Sequence, residues 1–198
     1  RSGSDKSLPP EGSTLRRAFE ALIAALEERG VRYAVIGGLA TLQHTRVRTT
    51  DDIDVLLMVP QIAMPGVFES LQRRGFTVSA ESNIREFRDE GITTVQFEGV
   101  LVDLLRPIVP VYARVLDRAI TAEIFGRHVH VISAEGLIVM KLIAMRPQDE
   151  VDIQELLAAY GRSLDLALIR CEMETFMDSD DPRRGAFESW VSRAIPTT

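Results

Sequence analysis

The chain has 198 residues and a mass of 22.1 kDa; 45% of the residues are hydrophobic and 26% charged. That length suits one domain, or one domain with a helical appendage, and the apolar content excludes disorder throughout. A net charge of −6 argues against a general basic nucleic-acid coat, and of the 23 basic residues only Lys6 and Lys141 are not Arg.

Residues 1–12, RSGSDKSLPPEG, lack an apolar stretch and read as a flexible leader rather than a secretion signal. Ser13 or Thr14 is expected to cap a helix running to about Glu28, with Leu15, Phe19, Leu22, Ile23 and Leu26 at helical spacing and Gly30 as a stop. Tyr33 to Ile36 reads as a strand, broken by Gly37-Gly38, and Leu39 to His44 as a short helix. Ile53 to Val59 is a second strand, ended by Pro60; Val67 to Arg74 is helical; Phe76 to Val78 is a further short strand. Thr93 to Phe97 and Val100 to Leu105 form a hairpin around Glu98-Gly99. Val111 to Ala119 is a helix, and Ala122 to Phe125 with His128 to Ile132 a second hairpin around Gly126. Beyond Ser133 the pattern is helical only, with helices expected over 135–145, 148–160, 166–177 and 184–194.

The pattern shifts from mixed to all-helical near residue 133. We therefore expect a core over 13–132 and a C-terminal helical region over 133–198. Few βαβ units of standard length occur, so the fold class is α+β: a small mixed sheet with helices packed on one side, followed by C-terminal helices. One cysteine, Cys171, rules out an intrachain disulfide or Cys-rich zinc site, suits a cytoplasmic setting, and is expected to serve packing. No apolar run is long enough to span a membrane.

The chemistry concentrates in Val35 to Leu57, VIGGLATLQHTRVRTTDDIDVLL. Gly37-Gly38 falls directly after a strand and before a helix. Absent side chains there let backbone N–H groups approach a phosphate, and a helix N-terminus favours negative charge. Asp52 and Asp54 enter the second strand with one residue between them, so they share a face. Two carboxylates so close repel unless a cation lies between them, and oxygen-only ligands suit Mg²⁺ or Mn²⁺. Asp103 interrupts the apolar row of Leu101 and Leu105 and is costly to bury without a partner. Each piece also has a plain reading: a helix entrance, a solvated acidic pair, an edge-strand acid. No G-x-x-x-x-G-K-[ST] or G-x-G-x-x-G pattern occurs, which removes the common ATPase and dinucleotide readings. His128 and His130 share a strand face without a well-spaced third ligand and read as surface residues.

Ile36-Gly37-Gly38, Asp52-Ile53-Asp54-Val55 and Val102-Asp103-Leu104 resemble the signature of the DNA polymerase beta-type nucleotidyltransferase superfamily, across residues 33–105. Leu137 to Leu157, LIVMKLIAMRPQDEVDIQELL, resembles the helical motif of AbiEii-like bacterial nucleotidyltransferases, abortive-infection or toxin–antitoxin components; Lys141, Arg146, Asp149 and Asp152 stand at the corresponding positions. Arg46 and Thr50 resemble the Arg-x-(Ser/Thr) before the acidic motif of that group. Asp149 also reads as a structural residue, completing the first turn of a helix that Pro147 opens. Lys141 lies on an apolar helix, where it either snorkels or reaches into a cleft.

The resemblance implies a metal-dependent transfer of a nucleoside monophosphate from a nucleoside triphosphate such as ATP, with release of pyrophosphate. Asp52, Asp54 and Asp103 are the implied metal and catalytic residues, with Lys141 as a catalytic cation. Gly37, Gly38, Arg46, Thr50, Lys141 and Asp149 are the implied nucleotide contacts. The implied acceptor is a hydroxyl of RNA, of tRNA or of a protein, and a cognate toxin or antitoxin is an implied partner. Two alternatives stand beside it: an antibiotic-modifying, aminoglycoside-type nucleotidyltransferase, and a non-catalytic nucleotide-binding partner of antitoxin type.

Overall fold

Ser13 opens α1 (Thr14–Glu28) by accepting a hydrogen bond from the Arg16 backbone N–H. The helix buries Leu15, Ala18, Phe19, Leu22, Ile23, Ala25 and Leu26, the stripe set by its 3.6-residue period. The structure is a computed structural model that describes residues 12–45 and 50–195. The chain divides into two compact units, with the boundary between Ile132 and Ser133.

The first unit is built on β1 (Arg32–Ile36), β2 (Ile53–Met58), β3 (Ile92–Phe97), β4 (Val100–Leu105), β5 (Ile120–Ile124) and β6 (Arg127–Val131). These form one mixed sheet in the order β3-β4-β2-β1-β6-β5. The β1–β2, β3–β4 and β5–β6 pairs are antiparallel; β2–β4 and β1–β6 are parallel. Both hairpin turns have two residues at positive φ, Glu98-Gly99 and Phe125-Gly126, as the right-handed twist of a tight hairpin requires. Ile53, Val55 and Leu57 on β2, Val102 and Leu104 on β4, and Thr93, Val95 and Phe97 on β3 are buried on one face. Phe19 of α1 meets Phe125 edge to face at 5.3 Å.

Four more helices complete this unit: α2 (Gly37–His44), α3 (Met64–Arg73), α4 (Ala80–Asp89) and α5 (Pro110–Asp117). α1 packs on α3, α3 on α4, and α4 on β3. The stretch expected as a strand over Phe76 to Val78 makes only a single bridge, Thr77 to Gln96. α4 has no counterpart in the sequence reading. It is short and mostly polar: Ala80, Ile84 and Phe87 share one face at helical spacing, but only Asn83 and Phe87 are buried. Polar bonds help dock it: Asn83 Nδ2 donates to Thr93 Oγ1 and to the Thr94 carbonyl, and Thr93 Oγ1 donates to Glu86. Those hydroxyl contacts, from Thr93 first and Ser82 second, hold the Glu86 carboxyl below its ordinary value.

The second unit comprises α6 (Ala134–Ala144), α7 (Pro147–Tyr160), α8 (Leu166–Met173) and α9 (Pro182–Ala194), with α6 against α7 and α8, and α7 against α9. Ser133 caps α6 and Asp165 caps α8 through their side-chain oxygens. Ile169, Met173, Phe187, Trp190 and Val191 contribute to the core of this unit. Cys171, expected to serve packing, is exposed on α8, because its neighbours Ile169 and Met173 take the buried stripe. No helix among the described residues is long and apolar enough to cross a membrane.

Candidate active site

β1 ends at Ile36 and α2 starts at once, at Gly37. Gly37 has φ +60°, a conformation that side chains disfavour. A Cβ there would also meet the Asp54 side chain, 2.6 Å from its Cγ. Both facts demand glycine, and together they seat the Asp54 carboxylate against the start of α2. No side chain caps that helix: its N-cap, Ile36, offers none. A Cβ on Gly38 would fall 2.6 Å from Thr50 Cβ, so Thr50 closes on the second glycine. Thr50 Oγ1 donates to the Asp52 carbonyl at 3.1 Å.

The sheet does the rest. β1 and β2 pair Ile36 with Asp54, and the parallel β2–β4 pair sets Asp54 directly beside Asp103. Residues in register on adjacent strands project from the same face, so the two carboxylates are neighbours. Both are half-buried. They lie on the face opposite to Ile53, Val55, Val102 and Leu104. Across the β3–β4 hairpin, Asp103 pairs with Thr94, whose Oγ1 donates to Asp103 Oδ1 at 2.6 Å. Asp52 is exposed in the bend one residue before β2. Among the described residues no three His, Cys, Asp or Glu side chains converge as a metal site. Asp54 and Asp103 alone supply hard, anionic oxygens on adjacent strands, a donor pair of the kind Mg²⁺ and Mn²⁺ accept.

Arg46 lies outside the described residues. Lys141, in α6, is only 6% exposed, and its Nζ donates to Asp149 Oδ1 at 3.2 Å and to Asp152 Oδ2. Asp149 and Asp152, both on α7, are 5% exposed. Asp149 Oδ2 also accepts from the Arg146 backbone N–H at 3.0 Å, capping the helix that Pro147 opens. A buried ammonium held between two carboxylates joins α6 to α7; removing one partner of such a set leaves a buried charge uncompensated. His44 Nε2 lies 2.8 Å from the Ile132 carbonyl.

Sequence reasoning passed over Thr94 and Asn83. Thr94 was reachable by counting: a two-residue turn at Glu98-Gly99 pairs 97 with 100 and therefore 94 with 103. Nothing in the sequence flagged Asn83, because it sits in a short, strongly polar helix with few apolar residues.

A family model described as "Nucleotidyl transferase of unknown function (DUF2204)" matches residues 15–184. The chain belongs to this family. No curated protein matches it significantly. Among solved structures, it is similar to ANT(2″)-Ia in complex with adenylyl-2″-tobramycin, at 15% identity over 83% of this chain and 100% of that one, with a TM-score of 0.56. An antigenic nucleotidyltransferase-like protein from Paracoccidioides brasiliensis shares 18% identity over 92% of this chain and 94% of its own, with a TM-score of 0.51. JHP933 from Helicobacter pylori shares 12% over 96% and 84%, also with a TM-score of 0.51. At these identities the likeness is one of fold.

Proposed function

We propose that this member of the DUF2204 nucleotidyl transferases moves a nucleoside monophosphate from a nucleoside triphosphate to an acceptor hydroxyl, in a divalent-metal-dependent reaction. The observation that carries the reading is the adjacent pair Asp54 and Asp103, with Asp54 seated against the Gly37 entrance of α2. Asp54 and Asp103, joined by Asp52 from the strand entrance, are the residues that would hold Mg²⁺ or Mn²⁺. Bound there, the cation would supply positive charge to the phosphate oxygens and lower the pKa of the attacking hydroxyl.

The chain's own groups do the following. The uncapped first turn of α2 presents backbone N–H groups and the positive end of the helix dipole to phosphate oxygens. Gly37 and Gly38 let those oxygens approach the backbone. Asp103 takes the proton of the acceptor hydroxyl. The hydroxyl oxygen forms the new bond to the α-phosphorus, the bond from that phosphorus to the bridging oxygen breaks, and pyrophosphate leaves with the electron pair. Thr50, against Gly38, shapes the phosphate end of the site. Lys141 and Asp149 enter as a structural pair, since each is already buried against the other.

Two acceptor classes follow from different observations. The AbiEii-like motif points to RNA, tRNA or a protein. The fold likeness to an enzyme solved with adenylylated tobramycin, together with a net charge of −6, points to a cationic small molecule. The test is incubation with each α-labelled nucleoside triphosphate, Mg²⁺, and cell RNA, protein extract or aminoglycosides in separate arms. Label entering one arm with matching pyrophosphate release is the expected result and identifies the acceptor. Nucleotide binding without pyrophosphate release in any arm would contradict transfer and support the non-catalytic alternative.

A further inference from the structure

We infer that Thr94 is the positioning residue for Asp103, and that a polar chain from α4 through β3 holds it in place; the inference rests on the proposed metal-binding role of Asp103. Thr94 Oγ1 donates to Asp103 Oδ1 at 2.6 Å, while Asp103 Oδ2 makes no hydrogen bond to a described residue. Binding one oxygen fixes the carboxylate rotamer and directs the other oxygen outward. Thr94 is itself held from behind. Asn83, 7% exposed, donates from Nδ2 to the Thr94 carbonyl at 3.1 Å and to Thr93 Oγ1 at 2.8 Å. Its Oδ1 accepts from the Ser79 backbone N–H at 2.8 Å, so its orientation is set at both ends of the amide. A buried amide with both donors used and its oxygen accepting is a rigid anchor.

Stability alone does not account for the arrangement. Thr94 is exposed on an edge strand, where water competes for the same carboxylate and a hydrogen bond adds little to folding. A neutral hydroxyl also directs Asp103 without cancelling its charge, which a cation in the same place would do. Groups that orient metal-binding carboxylates in this way typically matter by 10- to 100-fold in metal affinity.

Thr94→Val keeps the shape of the side chain, improves strand propensity and removes only the hydroxyl. The experiment compares the full chain with Thr94→Val, Thr94→Ser and Asp103→Asn, titrating Mn²⁺ alone and following free Mn²⁺ by electron paramagnetic resonance, with thermal melts alongside. Thr94→Val is expected to bind Mn²⁺ about 10-fold more weakly with an unchanged melt, and Thr94→Ser to bind as the unaltered protein does. If Thr94→Val binds normally while Asp103→Asn is weakened, the positioning role is overturned and the metal reading stands. If Thr94→Ser is as weak as Thr94→Val, the hydroxyl is not the cause and the inference also falls. If Asp103→Asn itself binds normally, the metal reading fails and takes this inference with it.

Discussion

Asp54 and Asp103 on the sheet, and Asp149 and Asp152 on α7, are two pairs of carboxylates treated in opposite ways. The sheet pair is half-buried, set side by side by strand register, and Asp103 is held by a neutral hydroxyl. The helix pair is 5% exposed and closes on the ammonium of Lys141. Burial explains the second arrangement: two carboxylates that deep need a cation supplied by the protein itself. The first arrangement leaves Asp103 its charge, with one oxygen held by Thr94. A carboxylate neutralised from within joins helices; one steered without being neutralised remains able to take a metal or a proton. The nearest donor separates Asp103 from the helix pair: a neutral hydroxyl for the first, an ammonium for the second.

The sharpest way to break this contrast is chelation. EDTA is expected to lower label transfer by 10³-fold or so, and to leave the melting temperature of the second unit unchanged. A melt that falls with EDTA would mean that a metal also supports the fold. Next in size, Lys141→Met should destabilise the protein by about 3–5 kcal/mol, because Asp149 and Asp152 lose their buried counter-charge. Chemical denaturation measures it; a change below about 1 kcal/mol would show that the helix pair is solvated after all. Gly37→Ala comes third. It forces φ +60° on a residue with a Cβ and drives that atom into Asp54, so a loss of more than about 1 kcal/mol in denaturation and a large loss of transfer should appear together.

The smallest effect separates the sheet unit by pH. Burial first, and the nearby Glu27 carboxylate second, push the Tyr33 hydroxyl up to about 12. A raised folded-state value means that the contribution is complete below the unfolded value near 10 and is lost as pH rises from 10 through 12. Tyr33→Phe should therefore lose less stability than the unaltered chain over that range, by roughly 2 kcal/mol at its alkaline end. Parallel losses in melts of the two proteins from pH 9 to 12 would remove Tyr33 from the account.

Much of the site was legible because its parts follow short-range rules. Glycine after a strand, an Asp-x-Asp entering the next one, and an acid interrupting Leu101 and Leu105 need only periodicity and spacing. The hairpins were legible because Glu98-Gly99 and Gly126 mark turns that need positive φ. α4 was not, because its helical-face set is only Ala80, Ile84 and Phe87 in a strongly polar stretch, and Asn83 and Glu86 help dock it through polar bonds. The partners of Lys141 were not legible either. Lys141, one of only two lysines in an arginine-rich chain, read as snorkelling or reaching into a cleft, and its ammonium lies between Asp149 and Asp152. Spacing along α7 could not distinguish carboxylates turned toward α6 from a solvated face.

The central claim is that the sheet carboxylates carry out the transfer. Its most direct test measures Mg²⁺-dependent transfer from an α-labelled nucleoside triphosphate by the unaltered chain and by Asp54→Asn, with melts confirming that both are folded. The account predicts transfer by the first and a loss of at least 10²-fold in the second at equal folded protein. Full transfer by folded Asp54→Asn would contradict it.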